Sequence, residues 1–281
     1  MKKIGFVDYY ISEWHANNYP LWIAEECKKN GLSYEVAYAW AEEYVSPVDG
    51  RNTDEWCREF GVEKCNSIDE LCEKSDFIII LAPSNPEKHL AYTREVFKYG
   101  KPTYVDKTFA PDYKTAKEIF AISEKYGTPF FSTSALRYAT ETDTYEWDKE
   151  ERIITTGGGS NLAEYIIHQI EMIVKAMGSG EKVKYVKIGP TTFLNVQYKD
   201  GREAVMTYSS GVDFTVRNCF EVEWTEIKSP FFNYLIADIL RFFESGIPSF
   251  DVKETLEVMK LREASLKASE NPETWVYLDS I

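Results

Sequence analysis

Between residues 6 and 30 the chain contains no glycine at all. A turn that presses bare backbone N–H groups against an anion relies on residues without a Cβ. A glycine-rich phosphate loop is therefore excluded from the first thirty residues. Long apolar runs are also missing. None approaches the roughly 20 residues that cross a bilayer as a helix, so no membrane partner is expected. The opening MKKIGFVDYY starts like a signal segment, but Asp8 and Glu13 fall where its apolar core would continue. No signal peptide is expected, and the chain reads as cytoplasmic. The five cysteines are odd in number, with no close pair and no CxxC spacing. They read as reduced thiols, not as a disulfide framework or a metal site. Positive charge is in deficit: 32 Lys and Arg stand against 46 Asp and Glu, a net charge of −14. Nucleic-acid binding needs a basic footprint, so that function is not expected.

What is present is enough for a core. Hydrophobic residues make up 44% and charged residues 28% of 281 positions, an ordinary balance for a globular protein of one large or two modest domains. Aromatics reach 15%, with 19 Tyr and 7 Trp. Such rings can line sugar-binding clefts, although most are expected in the core.

The order of patterns predicts the fold class α/β. Strands are expected at 2–7, 33–39, 76–82, 102–106 and 129–133, with helices at 20–30, 53–60, 67–74, 87–99 and 112–126. The apolar run DFIIILA at 76–82 suits a strand buried on both faces. Ser67 and Glu70 form a capping-box pattern, Thr53 or Asp54 an N-cap, and Gly31 and Gly127 helix ends. Alternating strands and helices imply right-handed crossovers and a doubly wound, Rossmann-like parallel sheet over 1–134. Residues 135–281 read as an α+β domain with a mostly antiparallel sheet. A polar excursion at 140–152 precedes a helix at 160–177, period-two strands at 183–188, 191–199, 203–209 and 214–224, and helices at 230–244 and 252–269. Lys199-Asp200-Gly201-Arg202 is a hairpin turn. The last helices are free to pack back on the first domain.

Two places carry chemistry. Lys107 follows the strand 102–106, and the carboxyl ends of strands in such sheets border the ligand crevice. Glu164 and His168 are four apart on one helix face, where a carboxylate can orient an imidazole suited to acid–base work. The plain alternatives remain: a solvated strand-end lysine, and a buried structural histidine among Ile166, Ile167, Ile170 and Met172. His89 reads as structural, and His15 has no evident role.

Three segments together resemble the Gfo/Idh/MocA family of oxidoreductases. Residues 78–110 are similar to its strand, His-bearing helix, GKP turn and EKP motif, here Asp106-Lys107-Thr108. Residues 157–178, GGGSNLAEYIIHQIEMIVKAMG, match its glycine-rich helix start with Glu164, His168 and Glu171 at the family's Asp, His and Asp. The tail from Arg241 is similar to its closing helices. The resemblance implies an NAD- or NADP-dependent enzyme that moves hydride between nicotinamide and a hydroxyl or carbonyl of a sugar, polyol or sugar acid. It implies catalytic roles for Lys107, His168 and Glu164. Cofactor contacts would fall at Asp8, Tyr10, Pro83, Asn85 and Asp106, and substrate contacts at Arg137 and Tyr138. A salt bridge at the domain boundary is the other reading of Arg137. It also implies a homo-oligomer, since the second sheet commonly makes the family's dimer interface.

The departures are as informative. Aligned on the first strand, the three fingerprint glycines read Asp8, Tyr10 and Glu13. A carboxylate such as Asp8 could cap the first helix and occupy its anion site. The ribose-gripping acid falls near Trp40, with Glu42 and Glu43 following, and the motif proline is Thr108. The second half shows about four strands where the family has more. Two other readings therefore stand beside the oxidoreductase. One is a degenerate member that binds no dinucleotide and serves as a small-molecule-binding or regulatory protein. The other is a non-redox enzyme that reuses the same cleft.

Overall fold

The computed structural model describes residues 1–146, 151–218 and 223–281. In chain order the first half runs β1 (Lys2–Asp8), α1 (Trp14–Asn30), β2 (Tyr34–Ala41), α2 (Thr53–Phe60), β3 (Glu63–Lys64) and α3 (Ile68–Lys74). It continues with β4 (Phe77–Ile80), α4 (His89–Val96), β5 (Thr103–Val105), α5 (Tyr113–Tyr126) and β6 (Phe130–Phe131). The second half runs β7 (Arg152–Gly157), α6 (Leu162–Met177), β8 (Lys182–Ile188), β9 (Thr191–Gln197), β10 (Glu203–Tyr208), β11 (Thr215–Asn218) and β12 (Thr225–Glu226). It closes with α7 (Phe231–Ser245), α8 (Glu254–Glu270) and β13 (Trp275–Tyr277). Two compact units result: Met1–Thr133 with Asn233–Val252, and Ser134–Phe232 with Lys253–Ile281.

In the first unit six parallel strands take the order β3-β2-β1-β4-β5-β6, that of a doubly wound dinucleotide fold. β4 is buried along its whole length, as its unbroken apolar run requires. Gly5 sits at a register shift in β1, and a Cβ there would lie 2.4 Å from Ser75 Oγ and 2.5 Å from a Leu71 methyl, so α3 packs close only over glycine. The C-terminal α7 contributes to this unit. Phe243 stacks on Phe77 at 4.6 Å between centroids, and Glu244 accepts from the Tyr34 hydroxyl at 2.5 Å and Lys2 Nζ at 2.8 Å.

The expected caps are corrected in detail. α2 is capped by Asn52, not by Thr53 or Asp54, in a full capping box with Glu55. Ser67 does cap α3 through Glu70 N, but Glu70 reaches back to Asn66 N instead of Ser67 N. The first helix begins at Trp14, six residues before the expected start, and carries Pro20 inside it. The expected helix at 87–99 is α4 flanked by single 3-10 turns at Pro86–Lys88 and Phe97–Tyr99.

In the second unit seven strands take the order β12-β11-β7-β10-β9-β8-β13, antiparallel throughout except for β7 against β10. The expectation of about four strands is too low. Among the described residues β7, β12 and β13 are the additions, the last two only two and three residues long. The 199–202 corner joins β9 to β10, with Gly201 at φ 92°. Thr192, Leu194 and Val196 of β9 are buried and their neighbours are not, as the alternation requires. α6 and α8 pack in the same unit, where Arg262 Nε and Nη2 donate to Ala163 O at 3.1 and 2.9 Å. Part of the predicted strand 214–224 and part of the excursion 140–152 lie outside the described residues, as does Cys219.

Candidate functional site

The expected site residues divide between the units. Asp8, Tyr10, Pro83, Asn85, Asp106 and Lys107 belong to the first, and Arg137, Tyr138, Glu164 and His168 to the second.

In the first unit the turn from β1 into α1 carries Asp8 at the strand end and Glu13 at the helix N-cap. The Glu13 carboxylate takes two N–H groups of the first helical turn: His15 N donates to Oε2 at 2.8 Å and Ala16 N to Oε1 at 2.5 Å. Glu13 is 5% exposed. Its pKa is pushed up, chiefly by burial, against the lowering effects of His15 and the two N–H bonds. Asp8 does not cap the helix. Its Oδ1 accepts from Tyr9 N at 2.7 Å and from Ala82 N at 2.9 Å, just past β4. Ala82 is held there at φ 60°, a left-handed backbone that a residue with a Cβ adopts at a cost of about 1 kcal/mol. Burial, and then the Glu13 charge, push the Asp8 carboxyl well above the usual range.

Asp106, one residue past β5, is equally buried. His15 Nδ1 lies 2.5 Å from its Oδ2 and the Tyr104 hydroxyl 3.0 Å from its Oδ1, while the Tyr19 ring stacks on His15. Burial raises the Asp106 pKa, but the opposing pull of His15 and Lys107 wins and holds it below the usual carboxylate range. The sequence left His15 without a role, and this contact with Asp106 supplies one. Lys107 follows at once, half-buried, with Nζ 3.3 Å from the carbonyl of Pro83. Pro83 is buried, and Asn85 donates from Nδ2 to Glu87 at 3.0 Å. Tyr10 is half-buried, its ring 5.7 Å from that of Tyr9. His89 lies between two carbonyls, with Nε2 2.5 Å from Leu81 O and Nδ1 3.0 Å from Phe109 O; burial lowers its pKa against the raising effect of both carbonyls.

Glu42, just past β2, is engaged by Lys88 Nζ at 2.5 Å and the Tyr92 hydroxyl at 2.7 Å. Burial raises its pKa, but these two bonds outweigh it and leave the carboxyl lower than usual. Lys88 also lies 4.4 Å from the Tyr9 ring centroid.

A dinucleotide in such a sheet lays its pyrophosphate on the N–H groups at the first helix and its ribose on the acid past β2. Here a carboxylate of the chain holds the first and a lysine and a tyrosine hold the second. Two unit charges about 4 Å apart repel by about 4 kcal/mol at an effective dielectric of about 20, so pyrophosphate beside ionised Glu13 is strongly opposed. A protonated Glu13 would still fill the space. The residues around α1 do not fit a pyrophosphate.

The second unit gathers another polar group. Asn161 caps α6 by accepting from Glu164 N at 2.9 Å, and its Nδ2 donates to Glu164 Oε2 at 3.2 Å. Glu164 is thus tied to the helix start. His168, one turn on, is half-buried, with the rings of Tyr165 and Phe214 edge-on at 5.8 and 5.6 Å. Its Nδ1 lies 2.6 Å from Ser134 Oγ. Ser134 N donates to Glu171 Oε1 at 3.0 Å. Glu171 Oε2 in turn pairs with Arg137 at 3.5 Å, and Arg137 also pairs with Glu254. Arg137 and Glu171 are both buried. Arg137 therefore sits within its own unit between two carboxylates. Tyr138 is half-exposed at the end of the 3-10 turn Ala135–Tyr138. The close approach here depends on glycine: a Cβ on Gly158 would lie 2.0 Å from the Ser209 carbonyl oxygen.

Sequence reasoning missed Ser134 and the capping by Glu13. Ser134 had only its place after the last parallel strand to recommend it. Glu13 had its place just before a helix, but glutamate is an uncommon N-cap. Among the described residues no group of three or more His, Cys, Asp or Glu could hold a metal ion, and no helix is long and apolar enough to cross a membrane.

Residues 42–134 match the model of the Gfo/Idh/MocA oxidoreductase family, described as an NAD-binding Rossmann fold. No curated protein matches the chain in sequence. Over 99% of its length the chain is similar to a candidate myo-inositol dehydrogenase from Sinorhizobium meliloti 1021, with a TM-score of 0.75 and 11% identity across all of that protein. It is likewise similar over 99% to an oxidoreductase from Thermotoga maritima, with a TM-score of 0.74 and 13% identity across 99% of that chain. A third likeness, again over 99%, is to a candidate NADPH-dependent oxidoreductase from Desulfitobacterium hafniense, with a TM-score of 0.74 and 13% identity across 98% of that chain. At these identities the likenesses establish the fold alone. The chain thus has the fold of these oxidoreductases along its whole length, and over residues 42–134 it carries the sequence pattern of the Gfo/Idh/MocA family.

Proposed function

We propose that the chain acts on a hydroxyl-bearing small molecule of carbohydrate type, a sugar, polyol or sugar acid, by acid–base chemistry at His168. The observation that carries this reading is the 2.6 Å bond between His168 Nδ1 and Ser134 Oγ. Ser134 Oγ also accepts from Leu136 N at 3.3 Å, and in the tautomer with the ring proton on Nε2 the Ser134 hydroxyl donates to Nδ1 and leaves Nε2–H to face a ligand. Ser134 is a positioning residue in this scheme. Glu164 belongs to the same helix face, one turn before. The resemblance assigns Lys107 to the same reaction, where an ammonium stabilises a developing alkoxide. Its place just past β5 supports that role.

The test is a screen of sugars, polyols and sugar acids for turnover and for saturable binding, followed by His168→Ala and Lys107→Ala. Both variants should lose turnover by orders of magnitude while keeping their unfolding midpoints. Normal turnover in both would refute the assignment.

A second reading is hydride transfer with NAD or NADP. The family match over 42–134 favours it, since that family is one of NAD-binding oxidoreductases. Calorimetric titration with NAD⁺, NADH, NADP⁺ and NADPH separates the two readings. A homo-oligomer is part of the same proposal, and sedimentation would measure it.

A further inference from the structure

We infer that Glu13 is a built-in anion that takes the place of a phosphate at the head of α1, and that this crevice admits no phosphate-bearing ligand while Glu13 is there. The observation is local and independent of any chemistry at His168. A simple N-cap is a short side chain taking one N–H. Glu13 instead folds back to take two, His15 N and Ala16 N, one with each oxygen, while 95% hidden from solvent. A serine in its place would cap the helix without bringing a carboxylate into the interior.

The flanking chain is fixed in the same closed form. Ser12 Oγ donates to Asp49 Oδ2 at 2.7 Å, Ser46 Oγ donates to Ser12 O at 2.6 Å, and Glu43 N donates to Tyr9 O at 2.7 Å. On the far side Asp8 joins Tyr9 N to Ala82 N. Lys88, a cation beside the Tyr9 ring, is held by Glu42. The family model begins its match at residue 42, after β1, α1 and β2, so the unmatched stretch is the one that holds this plug.

The test is amide NMR on the full chain, with inorganic pyrophosphate, ADP-ribose and NADH as probes, on the wild type, Glu13→Gln, Glu13→Ser and Glu13→Ala. In the wild type and in Glu13→Gln, where an amide still fills the space, the His15 and Ala16 resonances should stay put at millimolar pyrophosphate. In Glu13→Ser, which keeps a helix cap but clears the space, and in Glu13→Ala, the same two resonances should shift saturably. Folding of either short variant is sufficient, and the remaining amides report it. Micromolar binding of NADH or ADP-ribose to the wild type would overturn the inference. So would short variants as unresponsive as the wild type, because Glu13 would then not be what closes the site.

Discussion

Asp8 and Asp106 are two buried carboxylates at the ends of strands in one sheet, and their surroundings push them in opposite net directions. Asp106 has His15 and Lys107 beside it and stays below the usual range. Asp8 is lifted well above that range by burial and then by the like charges of Glu13 and Asp106, which its two N–H bonds do not offset. A raised acid holds its proton in the fold beyond the pH at which the unfolded chain loses it. Stability therefore falls as pH climbs from about 4, the unfolded value, through the folded value. Asp8→Asn keeps the acceptor for Tyr9 N and Ala82 N without the titrating charge. Urea midpoints of this variant should fall less than those of the wild type between acidic and neutral pH; an unchanged slope would mean Asp8 is not the titrating group. The sequence showed that acids stood where glycines were needed, and it raised capping by one of them. It suggested Asp8, because distance along a turn not yet built cannot say which carboxylate reaches the helix. Lys107, Glu164 and His168 could be singled out from spacing and motif. The Ser134 partner of His168 could not, since the two are joined only by tertiary packing.

Helix ends were largely legible because capping is a local exchange between neighbouring side chains and N–H groups. Gly127 and Ser67 act where their patterns placed them. Asn161 caps α6 through Glu164 N, and Asn161→Ala should cost about 1 kcal/mol in chemical denaturation. Gly158→Ala is a harsher change, because the added carbon meets a backbone oxygen that cannot turn aside. A loss of about 3 kcal/mol is expected, and retention of full stability would mean the helix start gives way without strain. Strands fared less evenly. β9 and β10 were visible as alternation around a turn. β7 pairs in parallel with β10 some fifty positions away, and β12 and β13 are two and three residues long, too short for any period to show.

At the level of the whole chain, a net charge of −14 repels itself in the compact state. Raising salt from about 0.01 M to about 0.15 M shortens the screening length from about 30 Å to about 8 Å. The thermal midpoint should rise; a fall would show that attractive ion pairs dominate instead. The chain also passes between its two units three times, near residues 133, 232 and 252. The six-stranded unit needs α7, whose Phe243 and Glu244 cover Phe77 and engage Tyr34. A fragment ending at 134 should therefore be poorly soluble, and one that also carries 233–252 through a linker should fold. On the ribosome the same feature imposes a wait. All six strands have been made by Phe131, yet the helix that covers Phe77 emerges more than a hundred residues later. At typical elongation rates that is on the order of ten seconds with an apolar face uncovered, long enough for a nascent-chain chaperone to become part of how this protein reaches its fold.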